Sequence, residues 1–207
     1  MNAPEPTQVA TRRARKKERT RTQIYDAAMR LFLARGYDAV TIDDICTAAD
    51  VARGTFFLHF PAKDALLGEY GRQAMDELTA LLATRDGDGG AAETLEAALL
   101  FLAERAGRHA AIVRLVVRQT ALSTTAISDT TAAGHDLTTL FATIIRRGQR
   151  SGELRRRVEP MVAGAVLASA YLAIAGEWAR QDGAPDLSLL VRQALDVILR
   201  GLERTPR

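Results

Sequence analysis

Apolar residues recur along this chain with a helical period almost from end to end. Ile24, Ala28, Leu31 and Phe32 fall at i, i+4, i+7 and i+8. That spacing predicts one helix over about 11–35, with Gly36 as its C-terminal stop. Thr41 can cap a short helix through 48 or 49, with Asp44 serving as a shortened capping-box acid and Ile42, Ile45 and Ala49 forming the apolar face. Asp50 stands where the chain must turn, and Asp tolerates a left-handed backbone better than most residues. A second short helix runs from Arg53 to His59. Pro61, well placed in a first turn, opens a third that continues to about 83. Two short helices joined by a tight turn form a helix-turn-helix arrangement. The Gly-rich "TRDGDGG" then breaks the pattern. Further helices are expected at 91–107, 109–121, 128–150, 159–181 and 186–203, with no strand pattern between them. The fold class is all-α, in three parts: a disordered tail over 1–10, a three-helix helix-turn-helix domain over 11–60 and a helical bundle over 61–207.

Composition agrees. Of the 207 residues, 47% are apolar but only 5% aromatic, and Ala and Leu dominate the long segments, which favours helix over strand. Cys46 is the single cysteine, so no intramolecular disulfide can form. No apolar run is read as approaching the ~20 residues of a bilayer span, so no membrane partner is expected and the default location is cytoplasmic. The net charge is only +3, yet seven Arg or Lys and one acid lie between Arg12 and Arg21. Such a cluster attracts phosphates at short range; its bland alternative is a solvated tail.

The densest chemical signal is "VARGTFFLHF", which holds three of the six Phe. Around it the sequence resembles the TetR family of transcriptional regulators (TetR/AcrR-like). Ile24, Ala27 and Ala28 precede Leu31 and Phe32. Gly36 and Tyr37 follow, and then Thr41, Ile45, Ala49, Val51, Gly54, Thr55, His59, Phe60, Lys63 and Leu66 stand in the family's register. The match is strong over 15–70 and looser beyond, where helix order agrees but sequence diverges.

The resemblance implies a ligand-responsive, dimeric transcriptional repressor on a near-palindromic operator, released by a small-molecule effector. An activator of the same build, or a helical interaction protein that never touches DNA, is the alternative. Phe56 and Phe60 share one face of the second short helix and are expected in the core. Arg53, Gly54, Thr55, Phe57, Leu58 and His59 are expected at the DNA. Arg53 reads guanine or contacts phosphate; Gly54 lets the backbone approach closely. Phe57 departs from the family's usual Tyr and lacks its phosphate-reaching hydroxyl. Ala52 replaces a capping Ser. Thr41 and Lys63 are expected to touch phosphate, as are Arg12, Arg13, Lys16 and Lys17 ahead of the motif.

For the effector pocket the candidate lining is Met75, Leu78, Phe101, Leu115, Gln119, Phe141 and Trp178, with an apolar or amphipathic molecule as the default ligand. For the dimer interface it is Val162, Ala165, Val166 and Ser169 on one helix and Leu190, Ala194, Val197 and Ile198 on the next. The residues supply no catalytic constellation: His59, His109 and His135 lie in no metal spacing, and no Gly-rich loop cradles a phosphate. No cofactor or metal is expected, and no enzyme activity.

Overall fold

The computed structural model describes the backbone of residues 6–84, 89–122, 126–181 and 185–202, and the side chains of 12–84, 89–117, 137–181 and 185–200. Among the described residues every regular element is a helix: α1 (Pro6–Arg35), α2 (Ile42–Ala48), α3 (Arg53–His59), α4 (Ala65–Ala83), α5 (Ala91–Arg108), α6 (Ala110–Leu122), α7 (Ala126–Ser151), α8 (Pro160–Arg180) and α9 (Leu187–Leu202). The chain divides into two compact units, one up to Glu69 and one from Tyr70 onward.

The first unit is built on a small apolar centre. Ile24, Ala28 and Phe32 of α1, Ile45 and Ala49 around α2, Phe56 and Phe60 around α3, and Leu66 of α4 are all fully buried. The joints obey the local chemistry. Gly36 ends α1 at a φ of 83°, where its amide donates to the Phe32 carbonyl. Thr41 and Asp44 cap α2 reciprocally. Asp50 takes a φ of 50° at the turn between the short helices.

Two expectations about helix starts are corrected. Helix α1 begins at Pro6, inside the stretch expected to be a disordered tail. Helix α4 begins at Ala65, not Pro61. The Ala65, Leu66 and Leu67 amides donate to the Ala62, Lys63 and Asp64 carbonyls, so 61–64 is a run of tight turns. Lys63 holds this turn by donating from Nζ to the carbonyls of Tyr37 (2.9 Å) and Val40 (3.0 Å).

The second unit packs α5, α7, α8 and α9 with the later part of α4 around Leu78, Leu95, Leu99, Phe141, Ile145, Leu167, Trp178 and Leu195. Helices α7 and α8 approach closely because Gly164 faces the Thr138 carbonyl and the Ala142 amide. Helix α5 has no side-chain cap of its own. Glu153, from the loop after α7, accepts from the Ala91 and Ala92 amides at 2.6 and 2.9 Å instead, an acid against the positive end of the helix dipole.

Helix α8 also overturns an expectation. It is long and apolar enough, by length and composition, to cross a bilayer. The reason lies in its two faces. Ala163, Leu167, Ala168, Ala175 and Trp178 are buried, while Val162, Val166 and Leu172 are apolar and exposed.

Candidate nucleic-acid interface

Helix α3 is only seven residues long, and its faces are sharply different. Phe56 and Phe60 are fully buried, their rings 6.0 Å apart. Opposite them Leu58 is 78% exposed and Phe57 45%, with Arg53 and Gly54 exposed beside them. Phe57 stands edge-on against Phe56 at 5.4 Å. The anchored ring beneath therefore fixes the exposed one. A large apolar pair left in water beside a cation suits a partner with both methyl groups and phosphates, which is what a DNA groove offers.

Arg53 pairs with Asp43 and reaches over the Phe57 ring, 5.6 Å from its centroid. Both side chains of the pair are more than half exposed. An ion pair of that kind is worth at most about 1 kcal/mol, so it orients Arg53 without locking it, and exchange for a guanine edge or a phosphate costs little. Helix α3 starts at Ala52 with no side-chain cap.

Thr55 and His59 are half-buried, so they flank this face and do not project from it as expected. The His59 Nδ1 atom is buried without a hydrogen-bond partner. Burial first, then the charges of Arg21 and Lys17, push the imidazole below its ordinary pKa. The ring is therefore mostly neutral at physiological pH, with Nδ1 closed off from solvent.

Two expected phosphate contacts are already engaged. The Thr41 hydroxyl donates to Asp44 Oδ2 at 2.6 Å and accepts from the Asp44 amide at 3.1 Å. Those bonds from Thr41, and then Arg35, hold the Asp44 carboxyl down at about 2, so a phosphate at Thr41 would meet a full negative charge. Lys63 spends two donors on carbonyls, and its ammonium lies 4.1 Å from the Tyr37 ring centroid. Tyr37 in turn donates to Asp64. Both residues shape the first unit before they can serve DNA. By contrast Arg12, Arg13, Lys16 and Lys17 are exposed along the start of α1, a basic helical face within the helix expected from about residue 11. Arg21, the last cation of that run, points inward to Glu69.

In the second unit the expected pocket lining is mostly core. Leu78, Phe141 and Trp178 are buried, with Met75 and Phe101 packed partly against them; Leu115 is half-buried. The Gln119 side chain lies outside the described residues. A cleft of about 380 Å³ is lined by Ala103, Glu104, Gly107, Arg108, Trp178 and Asp186 among others, so it shares only Trp178 with the expected set. Sequence reasoning also missed a buried charge. Arg105 is 3% exposed, donates to Glu77 from Nε at 2.9 Å and stacks on Tyr70. A signal existed: Arg105 falls three residues after buried Leu102, on an apolar face. The expected dimer face is largely open. Val162, Val166 and Val197 are exposed apolar residues. Ser169 is exposed as well, and Ala165, Leu190, Ala194 and Ile198 are half-buried. Among the described residues no cluster of His, Cys, Asp or Glu could hold a metal ion.

The family pattern described as bacterial regulatory proteins of the tetR family matches residues 24–70. The pattern described as the tetracyclin repressor-like C-terminal domain matches residues 88–202, more than half of the chain. The chain belongs to the TetR family. MftR of Mycobacterium tuberculosis, a regulator named for mycofactocin biosynthesis, is 30% identical over 199 residues, covering 94% of this chain and 96% of its own. The repressor KstR2 of Rhodococcus jostii is 26% identical over 189 residues, covering 88% and 90%. The TetR-family repressor FadR of Thermus thermophilus, solved in complex with lauroyl-CoA, superposes with a TM-score of 0.71 at 30% identity, covering 90% of this chain and 97% of that one. As a TetR-family member the chain is a ligand-responsive, DNA-binding transcriptional repressor.

Proposed function

We propose that this repressor acts in the bacterial cytoplasm as a two-fold dimer that sets α3 of each protomer into successive major grooves of a near-palindromic operator, about 34–36 Å apart. The observation that carries the reading is the outer face of α3, where Arg53, Phe57 and Leu58 stand exposed over the buried Phe56 and Phe60. Arg53 reads a base edge, Phe57 and Leu58 touch thymine methyls, and the basic start of α1 grips phosphates. The exposed apolar residues of α8 and α9 support pairing through those helices.

The effector is an amphipathic small molecule that binds the second unit and favours a different spacing of the two reading heads, so its arrival shifts the population off the operator. A thioester such as lauroyl-CoA is the first probe to use, since it is the molecule bound by the Thermus thermophilus relative. The test is selection of bound sequences from a random DNA pool, then titration at two salt concentrations with and without lauroyl-CoA. Specific, steeply salt-dependent binding to a near-palindrome is expected. Arg53→Ala should relax the selected sequence at one base pair. Binding without sequence preference, or a monomer on DNA, would refute the reading.

A further inference from the structure

We propose that Arg21 is a positioning residue of the reading head, acting through Glu69 and the last carbonyl of α3, and is not a phosphate contact. The proposal rests on the DNA-binding reading above. Arg21 belongs to the basic run that the sequence offers to DNA, but its nitrogens face inward. Nε donates to Glu69 Oε2 at 2.8 Å, Nη2 lies 2.6 Å from the same oxygen, and Nη1 donates to the His59 carbonyl at 2.8 Å. The guanidinium lies 4.4 Å from the centroid of the Phe60 ring. The Glu69 side chain is 0% exposed and that of Arg21 26%.

One side chain of α1 thus joins the end of α3 to the second turn of α4. Each partner needs it. A carboxylate fully removed from water is tolerated only when a cation and hydrogen bonds replace its hydration. The His59 carbonyl closes α3, at the negative end of the helix, where acceptors lack intrahelical partners and a cation is favoured. Helix α3 has seven residues and no side-chain cap at its start. A helix that short has no stability of its own, so its orientation comes from what holds it. Phe56 and Phe60 fix its depth, and Arg21 fixes its far end against α4. Arg53, at the other end, and Phe57, two residues before His59, inherit their direction from that clamp.

The sign of one charge change separates positioning from electrostatics. Glu69→Gln removes an acid from a DNA-binding unit, so charge alone predicts tighter binding to all DNA. The clamp predicts weaker binding to the operator. The experiment compares the wild-type chain, Glu69→Gln, Arg21→Gln and Arg21→Lys on the selected operator and on random-sequence DNA. It uses fluorescence anisotropy over a salt series, at a temperature where circular dichroism shows each chain folded. Operator affinity is expected to fall about tenfold or more in all three variants, which is about 1.4 kcal/mol. Random-sequence affinity and the salt slope should stay at the wild-type values. Arg21→Lys keeps the charge but lacks the forked donors; should Arg21→Gln fail to fold, this variant decides. Three results would overturn the proposal. These are Glu69→Gln binding the operator as tightly as wild type or tighter, Arg21→Lys matching wild type, and an Arg21 variant losing about 0.9 of salt slope with equal weakening on all DNA, the mark of one lost phosphate contact. The wild type is measured first. Failure to select any operator would refute the DNA-binding reading itself, and the clamp with it.

Discussion

Gly164→Ala should destabilise the second unit although alanine is the better helix former. A Cβ at this position would lie 2.6 Å from the Thr138 carbonyl oxygen, 2.9 Å from the Ala142 amide nitrogen and 3.2 Å from the Ala142 Cβ. The first two atoms belong to the α7 backbone and cannot rotate away. Carbon and oxygen ordinarily meet no closer than ~3.3 Å, so α7 and α8 must part by roughly 0.7 Å. Overpacking of this kind costs ~1–3 kcal/mol. Replacing a mid-helix glycine returns about 0.8–1.0 kcal/mol. The clash is at the upper end of that range because no flexible side chain can absorb it, leaving a net loss of up to about 2 kcal/mol. In a chain of this size that lowers Tm by up to about 8 °C. The control is Gly107→Ala, where the added Cβ meets nothing within 4 Å and only the propensity gain remains, so Tm should rise. Both variants and the wild type are melted by circular dichroism at one fixed protein concentration. A Gly164→Ala chain that melts at or above wild type would show that α7 and α8 do not approach as closely as described.

Phe57→Tyr should tighten operator binding by restoring a hydroxyl within reach of a phosphate, a bond worth ~1.5–3 kcal/mol; equal or weaker affinity by anisotropy on the same operator would count against it. Cys46 is buried and burial raises its thiol pKa, so a thiol reagent should label it only as the chain unfolds. Rapid labelling without denaturant would contradict this. The imidazoles of His59 and His109 are both pushed down, first by burial, so the unfolded chain binds their protons more readily than the folded one. Stability should be full above pH ~6.5, the ordinary His value, and decline as pH falls through it. A Tm that rises between pH 7.5 and pH 5.5 would reverse that sign.

Periodicity was enough to place every helix core, because each buries one stripe against its neighbours. The terminal cues were less reliable. Pro61 reads as a helix start, yet Lys63 draws the following turn onto the Tyr37 and Val40 carbonyls and delays α4 to Ala65. That pull comes from residues more than twenty positions away. The division of α3 into a buried Phe56 and Phe60 and an exposed Phe57 was legible from four-residue spacing. The commitment of Arg21 was not, because a cation in a basic run looks solvated until its partner is known. Glu69 carried the missing signal: an acid three residues after the fully buried Leu66 sits where no charge should be unless a cation comes to meet it. Thr41 shows a subtler limit, since one hydroxyl suits a helix cap and a phosphate equally well in sequence, and the nearby carboxylate decides between them.

Helix α8 buries Leu167 and Trp178 on one side and leaves Val162 and Val166 in water on the other. Any contact that covers the open side stabilises the folded chain by mass action, so the amount of regulator becomes part of its own thermodynamics. If two copies pair through that side, as proposed, then below the dissociation constant of the pair the concentration of dimer falls with the square of total chain, and above it the same chain melts higher. Occupancy of an operator by such a dimer would then depend on copy number more steeply than any single dissociation constant would indicate.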